Sequence, residues 1–341
     1  MPSFTLHSGV EFFYTDSGNA IVGDNYTTFV IIHGHTFHSG TFKRLIPHAA
    51  ANSLRIISVN RRCYPGSSSF SAEELSGFNQ GTEVERATLL EQQGVDLALL
   101  LDGLIVELSI PQSGGIALIG WSMGAIFMLS LIASVSALPV PTKDRLSSFV
   151  RTVVLLQTPS LALGLPPPPG WLIPHTDPTI APEARGAAFA KWVSSYFIHG
   201  DLSTRKLENL TYDNTDPRRL STIEALTPED LMDIADFSPG EKYDNIVGLS
   251  PFERPVFEQT RKALFDLAVR RAWSGAKFWN VYGSAEPWNI IHAAWFLEDQ
   301  SRAADAPEVA IHFKIIDGIN HFLVWEDPER AIQELKDCLS V

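Results

Sequence analysis

The sequence predicts an α/β fold: a mostly parallel, doubly wound sheet that carries an inserted helical cap. Three observations point to it. Short apolar runs rich in β-branched residues alternate with helix-length segments, and strands apolar on both faces belong to parallel sheets covered on each side. That rhythm stops between residues 161 and 273 and then resumes. A serine flanked by glycines stands between one predicted strand and the helix after it.

The opening segment FTLHSGVEFFYTDSG alternates about a Ser-Gly turn and predicts an edge hairpin. TFVIIHG (28–34) is a buried strand, followed by a helical segment in the 40s and the strand RIISVNRR (55–62). A long helix over 83–108, the strand GGIALIGWS (114–122), a helix to 137 and the strand VRTVVLLQT (150–158) complete the first half. The run Leu165-Pro-Pro-Pro-Pro-Gly170 can be neither helix nor central strand, and eight further prolines from Pro174 to Pro255 punctuate the stretch beyond it. Sheet rhythm returns with AKFWNVYG (276–283), a helix over 288–304, VAIHFKII (309–316) and a last helix opened by Asp327-Pro328. The expected division is a core of 1–160 and 274–341 with a cap of 161–273. An insertion at the C-terminal edge of such a sheet overhangs the crevice where ligands bind.

Composition narrows the partners. With 45% hydrophobic and 19% charged residues, the chain is rich enough in apolar groups to build a core, so disorder is excluded. Against 39 acidic residues stand 26 basic ones, a net charge of −13 that repels phosphate backbones and anionic lipid. Neither a nucleic acid nor a membrane is expected. Met1-Pro-Ser-Phe-Thr-Leu-His lacks a signal pattern, and two distant cysteines, Cys63 and Cys338, make no disulfide framework, which together predict a cytoplasmic protein. The glycosylation triplets at Asn25 and Asn209 would then have no meaning. Cys338-Leu-Ser-Val341 only formally matches a prenylation box, because Ser340, Val341 and the acidic segment before them are poor fits. The partner expected is a hydrophobic small molecule, with a homodimer left open and no cofactor.

The chemistry concentrates at a few loops. Gly120-Trp121-Ser122-Met123-Gly124, placed between strand and helix, has the form of a nucleophile elbow, with Ser122 as nucleophile. A serine hydroxyl needs a base, and His321, in the loop after the last strand, is the best placed of ten histidines. The acid that orients it is expected at Glu286, after the strand AKFWNVYG, with Asp317 as local competitor. An oxyanion hole would use the backbone amides of Met123 and His35. The near-match His33-Gly-His35-Thr-Phe37-His38 to a two-metal box places Phe37 where a carboxylate is needed, so no metal is expected. Phe189, Trp192, Val193, Tyr196 and Phe197 form a stripe at helical spacing that packs the cap or walls a pocket. Phe37, Trp121, Trp192, Tyr196 and Trp288 are the candidate substrate contacts.

These motifs, in this order, resemble the α/β-hydrolase superfamily, in the group whose fold carries a helical cap. The resemblance rests on His33-Gly34, on Asn60 to Ser68, on Gly120 to Gly124, on Gly283-Ser-Ala-Glu286-Pro287, and on His321-Phe322 with Glu326-Asp327-Pro328. It covers 5–160 and 274–340 and leaves the cap unmatched. It implies an α/β-hydrolase fold and a Ser122, Glu286, His321 triad acting on an ester or lactone. Three positions depart from the pattern: Glu286 stands where aspartate is more common, and Cys63 and Asn320 replace common glycines. Epoxide hydrolases and haloalkane dehalogenases resemble the chain too, but they use an aspartate nucleophile, which Ser122 opposes. A binding protein with little turnover and an acyl-transfer or lyase enzyme remain the alternatives.

Overall fold

The apolar runs form eight strands: β1 (Ser3–Thr5), β2 (Glu11–Asp16), β3 (Thr27–Ile32), β4 (Leu54–Val59), β5 (Ile116–Trp121), β6 (Val150–Leu156), β7 (Lys277–Gly283) and β8 (His312–Ile316). The structure is a computed structural model that describes residues 2–18, 23, 25–304 and 306–339. The strands make one sheet in the order β1-β2-β4-β3-β5-β6-β7-β8, in which β2 runs antiparallel to both neighbours and β3 to β8 are parallel. Every residue of β4 and β5 is buried, as expected of strands covered on both faces. Register aligns Ile32 with Val59 and Gly120, and Trp121 with Leu156, so the loops leaving these strands open on one edge.

The long predicted helix is Glu83–Glu107, started by a Thr82/Glu85 capping box. It packs against the wholly buried helix Gly124–Ala133 that comes after the elbow. The segment in the 40s is a 3-10 helix, Ser39–His48, which ends around Pro47. Sequence reading missed the helices Ala72–Gln80 and Val140–Phe149; the first is announced by a Ser71/Glu74 capping box. The last helix runs over Pro328–Asp337 and buries Cys338 just beyond its end, while Ser340 and Val341 of the prenylation-like box lie outside the described residues. Among the described residues no helix is long and apolar enough to cross a membrane.

The insertion ends earlier than its proline content suggested. Helices Glu253–Phe265 and Leu267–Ala272 lie on the sheet's covering layer, where Val256, Ala263 and Leu264 pack with Glu83–Glu107 and Gly124–Ala133. Pro251 and Pro255 stand before and within the first turn, where a missing N–H is harmless, so they mark a helix start and not a break. The overhanging part is the stretch before them. It includes the helix Arg185–Val193 and a π turn over Gly240–Asp244.

Candidate active site

Ser122 sits directly after β5 with φ of 55°, a left-handed conformation that strains any residue with a Cβ. Its amide donates to the Leu156 carbonyl at 2.8 Å, which anchors the turn to β6. A Cβ on Gly124 would lie 2.1 Å from the Ile32 carbonyl oxygen, so the helix can start this close to β3 only with glycine there. Gly34 is constrained in the same way: a Cβ on it would come within 2.8 Å of the Ser122 Cβ. The loop after β3 therefore touches the elbow. In that loop the Thr36 amide donates to Tyr64 Oη and the Phe37 amide to the His35 carbonyl, while the His35 and Met123 amides find no acceptor among the described residues. Two unpaired donors thus flank the serine.

His321 and Glu286 meet in the same place. His321 Nδ1 lies 2.9 Å from Glu286 Oε2, with His321 2% and Glu286 0% exposed. The second carboxylate oxygen accepts the Gly283 amide at 2.5 Å. A histidine of the overhanging segment fixes the turn: His199 Nδ1 accepts the Thr211 amide, which leaves Nε2–H to donate to the Glu286 carbonyl at 2.7 Å. Asp317, the competitor, is exposed and accepts a hydrogen bond from Ser284. The His321 ring stacks on Trp121 with centroids 5.0 Å apart and planes at 25°. Trp121 Nε1 donates to Gln157, Gln157 donates to the Asn320 carbonyl, and Asn320 Nδ2 reaches the Ser194 carbonyl and Thr222 hydroxyl of the overhanging segment. The loop carrying His321 is in this way tied to both the strand and that segment. No hydrogen bond closes between Ser122 Oγ and His321, a contact that in many hydrolytic sites tightens only around bound substrate.

Ser122 and His321 line one cavity, walled mainly by apolar side chains such as Met123, Leu161, Ile173, Phe189 and Trp192. Of the five candidate substrate contacts, Trp192 is in this wall. The others need correction. Phe37 is 2% exposed, bridges to Ala235 and packs edge-on against Phe322, so it supports the overhanging segment from beneath. Trp121 is spent on the His321 stack. Tyr196 is buried under the Arg219 guanidinium. Trp288 donates to the Leu172 carbonyl and faces a neighbouring cavity.

Over residues 29–334 the sequence matches the alpha/beta hydrolase family. The chain belongs to that family. Its fold resembles Cfl2 of Burkholderia cenocepacia at 18% identity and a TM-score of 0.53, covering 98% of this chain and 94% of that one. It also resembles epoxide hydrolase A of Mycobacterium thermoresistibile, at 16% identity, a TM-score of 0.51 and coverage of 99% and 98%. A carboxylesterase structure from Nitrososphaera gargenis gives 15%, 0.50, and coverage of 99% and 98%. At these identities the likeness is one of fold. A comparison with curated proteins finds no match.

This alpha/beta hydrolase also holds a buried ion pair directly behind the loop that leaves β3. Arg61 grips Asp244 of the overhanging segment with two bonds of 2.9 and 2.6 Å, and Tyr64 Oη donates to the same carboxylate at 2.6 Å. Arg61 also donates to the carbonyls of His33 and Gly34. Burial alone would lower the arginine's pKa, but the Asp244 charge more than offsets it and keeps the group charged. Asp244 lines the cavity, yet its charge is neutralised there.

The histidines of the metal-like run are occupied elsewhere. His33 donates from Nδ1 to the Gly34 carbonyl and accepts the Arg61 amide at Nε2; burial, then the Arg61 charge, holds its pKa well below the usual value. His35 is bound to Thr36 and Asn245, and His38 accepts the Gly40 amide as a helix cap. Among the described residues no three His, Cys, Asp or Glu side chains gather as metal ligands. Sequence reading took Arg61 and Tyr64 only as part of the turn Asn60 to Ser68 and gave no role to Asp244 or Gln157. The signal for the first was its place directly after β4, at the same edge as the elbow.

Proposed function

We propose that the protein is a serine hydrolase that opens an ester or lactone of an uncharged, hydrophobic small molecule through an acyl-enzyme. Ser122 attacks the carbonyl while His321 takes its proton, and Glu286 holds the ring in the required tautomer and stabilises the imidazolium. The Met123 and His35 amides receive the developing oxyanion. His321 then returns the proton to the leaving oxygen and activates the water that frees the acid and Ser122. The observation that carries this reading is the fully buried Glu286–His321 pair opening onto the cavity that holds a strained Ser122. The apolar wall and the neutralised Asp244 favour a substrate without charge.

The test is rapid mixing with 4-nitrophenyl butanoate. An acyl-enzyme route gives a burst of one nitrophenolate per protein, followed by slower turnover. Neither burst nor turnover with any 4-nitrophenyl ester would remove the reading.

A further inference from the structure

Asn289 is the second residue of the helix Trp288–Ala303, three positions beyond Glu286, and the start of that helix is pinned by the bond from Trp288 to the Leu172 carbonyl. It is 4% exposed and lines the cavity that holds Ser122 and His321. Its side chain makes no hydrogen bond among the described residues, and its Oδ1 is buried without a partner. A buried amide with nothing to bind is destabilising, and leucine would fill the same space without that defect. His175 of the same lining repeats the pattern: its Nε2 is buried and unpaired while its ring packs on His35 and Phe189. Burial, then the charges of His35 and Arg185, push its pKa down to about 3, so it is a neutral polar group at working pH. Asn289 also borders the outer cavity, which shares Leu161, Ile173, Gly248 and Leu249 with the inner one. An amide set at the junction of two apolar chambers meets a substrate at a fixed distance from its scissile bond.

We propose that Asn289 selects substrates bearing a neutral hydroxyl group away from the scissile carbonyl, so that the natural substrate is a hydroxylated apolar ester or lactone. This rests on the hydrolase reading of the same cavity. A hydroxyl both donates to Oδ1 and accepts from Nδ2, and a site built to pair it rejects the analogue that leaves its polar groups bare.

The experiment compares kcat/KM for 4-nitrophenyl octanoate with its 6-, 7- and 8-hydroxy analogues, in wild type and in Asn289→Leu and Asn289→Ala. The readout is the ratio of hydroxylated to plain ester within each variant, which a general loss of activity does not move. Wild type should favour one hydroxylated isomer by roughly tenfold or more, and both variants should bring that ratio near one. Equal rates for all four esters in wild type, or a preference that survives in Asn289→Leu, overturn the proposal. Calorimetric titration with the uncleavable 4-nitrophenyl octyl ether and its 6-, 7- and 8-hydroxy analogues reads the same preference as a ratio of Kd. If the esters are not cleaved at all, the hydrolase reading falls while this titration still decides the role of Asn289.

Discussion

Replacing Asp244 by asparagine keeps the shape of the side chain and removes the charge that faces Arg61. Arg61 is 5% exposed and would keep its charge with no counterion in a dry site. Breaking a buried pair from one side costs about 3–5 kcal/mol, because the remaining charge is left uncompensated. For a chain of 341 residues the unfolding entropy is about 0.7 kcal/mol/K, so the melting temperature should fall by roughly 4–7 °C. The double variant Arg61→Met/Asp244→Leu removes both charges and should regain more than half of that loss. Activity is expected to take a different course. Arg61 holds the His33 and Gly34 carbonyls, so its loss frees the loop that presents the His35 amide, and kcat should fall about tenfold or more even in the double variant. The assay is urea unfolding and ester hydrolysis of Asp244→Asn and of the closed cycle formed by wild type, Arg61→Met, Asp244→Leu and the double variant. An Asp244→Asn protein that unfolds with the wild type, or single-variant losses that simply add in the double variant, would refute the idea that this pair is coupled and unrelieved when broken.

Glu286→Gln should lower kcat by roughly 10³- to 10⁴-fold with the fold intact, while Asp317→Asn stays close to wild type; steady-state kinetics on both separate the two acids. Gly34→Ala places a Cβ 2.8 Å from the Ser122 Cβ, so kcat should drop about tenfold or more with thermal stability less affected. His175 is held at about 3 when folded and titrates near 6.5 when unfolded, so the unfolded chain binds the extra proton between these values. Its stability deficit is absent above about pH 6.5 and grows as pH falls, reaching about 3 kcal/mol near pH 4.5; denaturant titration of His175→Phe should show a shallower acid loss than wild type.

The parts legible in the sequence were those with a local signature. The strands announced themselves by apolar runs, the elbow by its two glycines, and Glu286 and His321 by their places after β7 and β8. The hidden parts depend on contacts between distant segments. Gln157 ends a predicted strand and belongs to no motif, yet it joins Trp121 to Asn320 across two loops. Asp244 lies in a polar stretch with no motif, and its partner is 183 residues away. Aromatic residues misled in one direction: Phe37, Trp121 and Tyr196 have the chemistry of a pocket wall, but their bulk is used for packing, and sequence spacing does not distinguish the two uses. The helix Glu253–Phe265, read as part of the insertion, packs with the helices that cover the sheet, and its prolines hid it because they mark helix starts as well as helix breaks.

The central claim is that Ser122 is a nucleophile made reactive by His321 and Glu286. Intact-protein mass spectrometry after treatment with an alkyl fluorophosphonate tests it most directly. One adduct per wild-type chain is expected, mapped to Ser122, absent in Ser122→Ala and strongly slowed in His321→Ala. A wild-type protein that takes up no label, or a Ser122→Ala variant that is labelled as fast as wild type, would contradict it.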